Sequence, residues 1–286
     1  MSENPVKTGA GGNSGTVPKP GTVPNSGANP NQGTVPNQGS AENQSIAKIQ
    51  STANQHVLVL GGTGALGQAL LRELMRVGAQ ASFSWCNNAS AAQALTQETG
   101  FANYQADLLQ ADAIPALFAT MAQDARLPNV VVHCAGIAPT TALADITAAS
   151  WDALHAIHGR AALQCAQQMR RYELRGALVL VAALDGLLPV PAPAHYAASQ
   201  AALGGLTLAL AKELGPHGIL VNLALIGVLD GGISHGLPPH LRESYRKYAA
   251  LGRTGTCAEA ARALRWLALE NTYMNGAQLP ITGGLG

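Results

Sequence analysis

The stretch HVLVLGGTGALG, residues 56–67, decides the fold of this chain. Its apolar run Val57–Leu60 predicts a buried strand, and the glycine-rich segment Gly61–Gly67 follows without a break. Glycines let a backbone come close to a phosphate, and the N-terminus of a following helix offers free N–H donors and a partial positive charge. Many tight strand–helix turns bind nothing, but a strand before and a helix after this one favour a nucleotide site.

The helix after the turn is predicted from an apolar stripe that Gly78 ends, with the spacing of one helix face at Leu66, Leu70, Leu74 and Val77. Similar apolar runs predict five further strands at Ala81–Trp85, Val130–His133, Ala177–Ala182, Ile219–Leu225 and Gln278–Ile281. Helical patterns lie between them, for example at Ala91–Thr99, Ala113–Ala125, Trp151–Arg171 and Tyr196–Leu214. This alternation predicts an α/β fold with a doubly wound parallel sheet, Rossmann-like and single-domain, whose ligand crevice lies at the carboxyl ends of the strands.

The first 52 residues have a different composition. Gly-Thr-Val-Pro recurs at Gly15, Gly21 and Gly33 among Asn, Gln, Ser and Pro residues. Such a segment has too little apolar surface to offset its ordering entropy, so we expect a disordered tail over residues 1–52 and a folded domain over residues 53–286. A flexible spacer is the simplest role for the tail.

Charge and cysteine content exclude several classes of protein. The chain has 17 Lys and Arg against 16 Asp and Glu, so neither nucleic acid nor an anionic membrane surface is an expected partner. No apolar segment is long enough to span a bilayer, and the N-terminus lacks the apolar core of a secretory signal. The four cysteines are scattered without metal-ligand spacing, which indicates free thiols, no metal site and a cytoplasmic location.

Several short sequence motifs follow the glycine turn in a fixed order. They are Asp107-Leu108, His133-Cys134-Ala135-Gly136, Trp151-Asp152, Tyr196-Ala197-Ala198-Ser199, Val221-Asn222, Gly252-Arg253 and Gly283-Gly284. In this order the chain resembles the short-chain dehydrogenase/reductase family, and most of all its 3-oxoacyl-carrier-protein reductases. The resemblance spans residues 56–286 and implies a nicotinamide dinucleotide cofactor with a small-molecule or acyl-thioester substrate.

The resemblance also assigns the cofactor contacts. These positions are Gly61, Thr63, Gly64, Leu66, Gly67, Asn87, Asp107, Ala135 and Gly136. Asp107 has an alternative role as a cap of the following helix. No acidic residue ends the second predicted strand to bind a ribose 2′-hydroxyl, which speaks against NAD(H), and no Arg or Lys stands there either. We therefore expect NADP(H) rather than NAD(H), with its 2′-phosphate held by neutral donors such as Asn87.

The catalytic positions depart from the family pattern. Family members use a Tyr acid, a Ser that orients the carbonyl oxygen, a Lys that lowers the Tyr pKa and holds ribose, and an Asn that supports a water relay. Here Tyr196 matches the acid, while Gln200, Ala183 and His158 stand at the Lys, Ser and Asn positions. No shift of alignment restores them, because no Lys occurs between Lys48 and Lys212 and no Ser or Thr between Ser150 and Ser199. The ordinary mechanism should be severely impaired.

Two hypotheses follow. Either the protein is a non-catalytic partner or regulator of an active reductase, or it reduces ketones or 3-oxoacyl thioesters through Tyr196 with unusual helpers. The unusual helpers of the second hypothesis are His158 and His195, with Asp185 to orient one of them, although packing or solvation explains each histidine better.

Two further features bear on substrate and partners. Gly231 replaces a Thr that family members use to hold the nicotinamide amide, at the start of the segment 230–250 where the family has its mobile lid. Small residues at Ala201, Ala202, Gly204 and Gly205 predict a homo-oligomer or hetero-oligomer formed through the helix that begins at Tyr196, unless they pack inside the monomer.

Overall fold

The computed structural model describes residues 55–184 and 191–285. Its strands are β1 His56–Leu60, β2 Gln80–Trp85, β3 Ala102–Gln105, β4 Val130–His133, β5 Gly176–Ala183, β6 Ile219–Ile226 and β7 Gln278–Ile281. Its α-helices are α1 Ala65–Arg76, α2 Ala89–Thr99, α3 Ala113–Gln123, α4 Ala148–His155, α5 Ala161–Arg171, α6 Ala194–Leu214, α7 Pro239–Tyr248 and α8 Cys257–Leu269. A π-helical segment, Ala156–Arg160, joins α4 directly to α5.

The strands form one seven-stranded parallel sheet. Their order is β3-β2-β1-β4-β5-β6-β7, and every neighbouring pair is parallel. The chain winds outward from β1 to β3 and then returns to β4 on the other side of β1. The predicted doubly wound sheet is therefore confirmed, and its switch point lies between β1 and β4, where such sheets bind ligands.

Both faces of the sheet are covered, and β1 shows how. Its residues Leu58 and Leu60 belong to the core under α3, α5 and α6, whereas Val57 and Val59 belong to the core under α1, α2 and α8. All four side chains are fully buried. An uninterrupted apolar run is required here because successive side chains of a strand point to opposite faces and neither face meets water.

All six predicted strands are present, each within one residue of its predicted bounds. The short strand β3 is absent from those predictions because its sequence, Ala-Asn-Tyr-Gln, carries polar side chains at the edge of the sheet. The helices α2, α3 and α6 confirm the predicted elements, with ends shifted by two residues. The strand β7 lies at the other edge of the sheet, but its apolar residues Leu279 and Ile281 make its pattern strong enough to predict it.

Two helix predictions are corrected. The first helix ends at Arg76, so Val77 lies outside it and its side chain is 42% exposed, while Leu71 takes its place on the buried face. The predicted single helix Trp151–Arg171 begins earlier, at Ala148, where Thr147 and Ser150 form a reciprocal capping box. It is also interrupted by the π-helical segment, which is a common feature of helices at functional sites.

Some predictions concern other parts of the chain. The predicted tail over residues 1–52 and the side chain of Asp185 lie outside the described residues.

The predicted lid, residues 230–250, contains a 3₁₀ turn at Gly232–Gly236 followed by α7. Over residues 55–184 and 191–285, no helix combines the length and the apolar character needed to cross a membrane.

Candidate cofactor and active site

The turn between β1 and α1 is shaped by close backbone contacts. Gly61 has a φ of +76°, and a Cβ added to it would lie 2.7 Å from the Cα of Ala135 at the end of β4. A Cβ on Gly67 would lie 2.4 Å from the carbonyl oxygen of Gly61. Only glycine fits either position. The predicted residues Gly61, Gly67 and Ala135 therefore meet at the switch point of the sheet.

The N-terminus of α1 is open at this turn. Its N-cap, Gly64, has no capping side chain, and the first helical turn carries no acidic residue. The first N–H groups of a helix have no partner within the helix, and its dipole gives this end a partial positive charge. Gly64, Thr63 and Leu66 thus line a cradle for a phosphate group.

The region after β2 lies on one side of this cradle. Asn87 is exposed there, and Asn88 caps α2 by accepting a hydrogen bond of 3.0 Å from the backbone N–H of Ala91. Ser90 donates its hydroxyl to the same Asn88 oxygen. These groups are all neutral, so the end of β2 carries neither the carboxylate that favours NAD(H) nor a cation.

Asp107 follows β3 and holds a turn. Its carboxylate accepts a hydrogen bond of 3.0 Å from the N–H of Leu109 and one of 3.4 Å from the Gln110 side chain. The next helix begins six residues later with Asp112 as its N-cap, so the alternative role of Asp107 as a helix cap is wrong. Burial, and then the Asp107 carboxylate, raise the pKa of the Cys86 thiol, which places Asp107 beside the end of β2.

Tyr196 lies in the first turn of α6 with only 4% of its surface exposed. Its ring meets the ring of His158 edge-on, with centroids 6.0 Å apart and an interplanar angle of 76°. His158 comes from the π-helical segment and is itself buried. The structure therefore brings together the predicted acid and the residue at the family's Asn position.

Gln200 lies one helical turn after Tyr196 and is fully engaged. Its Oε1 accepts a hydrogen bond of 2.8 Å from the backbone N–H of Ala183, and its Nε2 lies 3.0 Å from Nδ1 of His158. The side chain therefore bridges the end of β5 to the π-helical segment. Both ends of its amide are used within the protein, and it brings no charge to the pocket.

His158 is neutral in this environment. Burial, followed by the nearby rings of His133 and His155, lowers the pKa of His158 to about 3. A protonated His158 therefore does not replace the missing Lys near neutral pH. Burial therefore disfavours the helper role that required a charged His158.

His195 is completely buried, and neither of its ring nitrogens has a hydrogen-bond partner among the described residues. The described contacts do not connect it to Tyr196 or His158. The predicted helper role of His195 therefore has no support in the geometry of the described residues.

Two polar residues of the pocket are missing from the predicted site. Ser199 Oγ lies 2.9 Å from Nδ1 of His158 and 2.8 Å from the carbonyl oxygen of Tyr196, and its one rotatable hydrogen can be donated to either. His133, at the end of β4, bonds the carbonyl of Ile157 through Nε2 at 2.9 Å and so holds the π-helical segment. Ser199 could have been found from its spacing, since residues three and four apart share a helix face with Tyr196. His133 could not, because its partner is 24 residues away.

The matches to known proteins agree with this geometry. A family model described as enoyl-(acyl carrier protein) reductase matches residues 62–286. The chain belongs to the short-chain dehydrogenase/reductase family. A short-chain dehydrogenase from Burkholderia cenocepacia J2315, solved in complex with NADP, has a TM-score of 0.75 and 28% identity and covers 80% of this chain and 97% of its own.

Two curated relatives of this short-chain dehydrogenase/reductase carry different names. One is the cyclic-di-GMP-binding biofilm dispersal mediator protein of Escherichia coli (strain K12), 30% identical over 80% of this chain and 96% of its own. The other is a 3-oxoacyl-acyl-carrier-protein reductase of Chlamydia muridarum (strain MoPn / Nigg), 28% identical over 81% of this chain and 97% of its own. The predicted likeness to 3-oxoacyl-carrier-protein reductases is thus confirmed.

The residues of the crevice fit a nicotinamide dinucleotide. The cradle that a Cβ at Gly61 or Gly67 would fill, together with the open N-terminus of α1, suits the pyrophosphate. Gly136 follows the same strand as Ala135 and is exposed beside the cradle. A Cβ on Gly231 would lie 3.1 Å from Sγ of Cys257 and 3.5 Å from the Cβ of Ala65, so the predicted lid begins against the start of α1, beside the cradle.

Proposed function

We propose that this short-chain dehydrogenase/reductase binds NADP(H) without catalysing ordinary carbonyl reduction, and that it acts as a binding or regulatory partner. The bridge from Ala183 through Gln200 to His158 carries this proposal, because it closes the pocket with neutral hydrogen bonds. All four cysteines are free, which agrees with the cytoplasm as its compartment.

The chemistry of Tyr196 explains why the bridge matters. A bound NADPH supplies a hydride to a carbonyl carbon, and a protein group must deliver a proton to the carbonyl oxygen. A Tyr hydroxyl titrates near ~10 without help, so it needs a nearby cation to give up its proton at neutral pH. Gln200 and His158 are both neutral. Ala183 lacks the hydroxyl that would hold the carbonyl oxygen, a loss that typically costs roughly 2.7–4 kcal/mol in the transition state.

The preference for NADP(H) follows from the end of β2. A carboxylate there would repel a 2′-phosphate, whereas Asn87, Ser90 and the N-terminus of α2 offer neutral donors to it. The NADP complex of the Burkholderia cenocepacia protein supports the same choice. Asp107, which lies beside Cys86, would border the adenosine half.

The decisive experiment measures binding and turnover on the same sample. Purified protein is titrated with NADPH by calorimetry and then mixed with NADPH and an acetoacetyl thioester while absorbance at the NADPH band is followed. We expect binding without NADPH oxidation above the background of Tyr196→Phe. Fast oxidation that Tyr196→Phe abolishes would show that the pocket is catalytically competent.

The second candidate function is an active NADPH-dependent reductase of ketones or 3-oxoacyl thioesters. The observation in its favour is the position of Tyr196, buried with its ring against that of His158. It requires a proton route that does not use a charged His158. The turnover measurement with Tyr196→Phe separates it from the first candidate.

A regulatory role has a parallel among the relatives, since the Escherichia coli protein is named as cyclic-di-GMP-binding. Cyclic-di-GMP is therefore the first regulatory ligand to titrate into this protein, in the presence and absence of NADPH. Binding that changes the NADPH affinity would support a regulator. An unchanged NADPH affinity at saturating cyclic-di-GMP would instead favour the hypothesis that this chain acts as a partner of an active reductase subunit.

The partner surface that we propose is the exposed face of α6. Ala201, Ala202 and Gly205 are exposed there, and Leu208 is 53% exposed, whereas Gly204 is buried against Gln278. The prediction for Gly204 is therefore corrected: it packs inside the monomer. The other small residues would let the helix of a second copy, or of an active reductase subunit, approach closely.

This surface predicts an oligomer at micromolar concentration. Leu208→Glu should convert it to a monomer, because a charge would be buried in the interface. Leu109→Glu is the matched control, since Leu109 is 47% exposed and lies outside α6. Analytical ultracentrifugation measures the mass of both variants; equal masses for wild type and Leu208→Glu would contradict this surface.

A further inference from the structure

The imidazole of His158 has one engaged nitrogen and one that faces the crevice. Nδ1 contacts Gln200 and Ser199 at 3.0 and 2.9 Å. Nε2 has no hydrogen-bond partner among the described residues. It is also not among their fully buried atoms that lack a partner, so it belongs to the 4% of the His158 surface that is exposed. That atom lies 3.2 Å from the position that a Cβ on Gly136 would take.

The hydrogen bonds of Gln200 fix which nitrogen of His158 carries the proton. The N–H of Ala183 can only donate, so the Gln200 atom that receives it is the oxygen. The atom facing Nδ1 of His158 is then the amide nitrogen, which can only donate. Nδ1 must therefore accept, and the rotatable hydroxyl of Ser199 can also donate to it, so in a neutral imidazole the proton must lie on Nε2. His158 thus presents an N–H donor to the crevice.

The position of this donor points to one half of the cofactor. Gly61 of the pyrophosphate cradle packs on Ala135, and Gly136 is the next residue. Dinucleotides lie across the switch point of a doubly wound sheet, with one nucleoside on each side of the pyrophosphate. Asn87 and Asp107 lie on the β2–β3 side, and His158 lies on the β4–β5 side. The first acceptors on the His158 side of the pyrophosphate are the hydroxyls of the second ribose.

We propose that the Nε2–H of His158 donates a hydrogen bond to a hydroxyl of the nicotinamide ribose. The inference rests on the proposed binding of NADP(H) in this crevice. It gives the neutral bridge through Gln200 a purpose, because the bridge holds His158 in the tautomer that can donate. The donor binds the cofactor without helping to transfer a proton.

The first test compares NADPH with adenosine 2′,5′-bisphosphate, which contains the adenosine 2′-phosphate half but no nicotinamide riboside. His158→Ala should weaken NADPH binding by about three- to tenfold, the effect of one hydrogen bond, and leave the fragment unaffected. His155→Ala is the matched control, since its partly exposed ring stacks on Trp151 one helical turn earlier. We expect wild-type affinity for both ligands from this control.

The second test reverses the tautomer. In Gln200→Glu the carboxylate can only accept, so the neutral ring should carry its proton on Nδ1, donate it in a hydrogen bond to Glu, and leave Nε2 unprotonated at high pH. The carboxylate also raises the pKa of the ring, which restores the Nε2–H at low pH. Divided by the wild-type ratio at the same pH, the ratio of NADPH to fragment affinity in Gln200→Glu should therefore fall as the pH rises from 6 to 8. This division cancels the titration of the 2′-phosphate, which both ligands carry, and of the 5′-phosphate monoester, which only the fragment carries.

Distinct results overturn the two proposals. If wild-type protein binds neither NADPH nor the fragment, the proposed cofactor fails and this inference fails with it. If NADPH binds but His158→Ala leaves its affinity unchanged, or weakens both ligands equally, only the inference about His158 is wrong. If His158→Ala does not fold, an affinity ratio in folded Gln200→Glu that follows the wild-type ratio at every pH overturns the inference by itself.

Discussion

The glycine turn Gly61–Gly67 and the pocket around Tyr196 lie at the same edge of the sheet but depend on different parts of the chain. The turn is defined by backbone contacts that leave no room for a side chain. The pocket is defined by side-chain hydrogen bonds among Gln200, His158 and Ser199. Side chains can be replaced by others that satisfy the same partners, whereas a backbone contact at 2.4 Å accepts only glycine. Cofactor binding and proton transfer are therefore separable properties of this fold.

The largest effect should come from breaking the turn. Gly67→Val would place a side chain against the carbonyl of Gly61, and we expect NADPH affinity to fall by at least roughly 100-fold, or about 2.7 kcal/mol. Gly236→Ala is the control, because nothing lies within 4 Å of a Cβ there. Calorimetry measures both; NADPH binding to folded Gly67→Val at wild-type strength would show that the turn is not the phosphate cradle.

The pocket should make the protein sensitive to acid. Burial lowers the pKa of His133 to about 4 and that of His158 to about 3, below the value of ~6.5 in an unfolded chain. A lowered histidine pKa stabilises the fold above pH ~6.5, and this stability is lost as the pH falls through 6.5 towards the folded values. When the pH falls from 7 to 5, each histidine should therefore lower the free energy of unfolding by about 2 kcal/mol.

Urea unfolding at the two pH values measures this loss. His133→Asn should reduce the loss by about 2 kcal/mol, because it removes one buried group that must remain neutral. The exposed His240 provides the control, and His240→Asn should retain the full pH dependence. Equal losses in all three proteins would show that these buried histidines do not govern the acid sensitivity.

Rebuilding the pocket should restore some catalysis. Gln200→Lys with Ala183→Ser returns the cation beside Tyr196 and the donor for the carbonyl oxygen, and should speed NADPH-dependent reduction of a 3-oxoacyl thioester by roughly tenfold or more. The structure adds a cost, since the N–H of Ala183 loses its acceptor and a charge enters a site that is 4% exposed. The double variant should therefore unfold at lower urea concentration than the wild type.

Turnover of each single variant provides the control for this experiment, because neither alone restores both groups. No gain in the folded double variant would mean that the defect lies elsewhere, as at His158 or Gly231. A part of the crevice other than the glycine turn and the Tyr196 pocket would then limit catalysis.

The smallest effect concerns cofactor choice. We expect NADPH to bind several-fold more tightly than NADH, since the end of β2 carries no carboxylate. Asn87→Asp, a nearly isosteric change, should reduce or reverse this preference by repelling the 2′-phosphate. Parallel calorimetric titrations of both cofactors measure it. Tighter binding of NADH than of NADPH by the wild type would contradict this prediction.

The apolar strand pattern made much of the fold predictable. Six strands could be located to within one residue because each carries a run of mainly apolar side chains, and those of β1, β4, β5 and β6 are largely buried on both faces of the sheet. The edge strand β3 was not predicted because its sequence, Ala-Asn-Tyr-Gln, is mostly polar, whereas β7 at the other edge keeps Leu279 and Ile281. The π-helical segment was also not predicted. The hydrogen bonds that hold it join Ile157 to His133, 24 residues away, and His158 to Gln200, 42 residues away.

The sequence by itself determined which groups the crevice contains: glycines at the turn, Tyr196 on a helix, and no Lys, Ser or Asn at the other catalytic positions. Composition and spacing are local properties, so they can be read without coordinates. Only the tertiary structure decided what the substitutes do, since the proton on Nε2 of His158 follows from one backbone N–H of β5 acting through Gln200. Protonation and tautomer depend on burial and on partners distant in sequence, which the folded arrangement alone brings together.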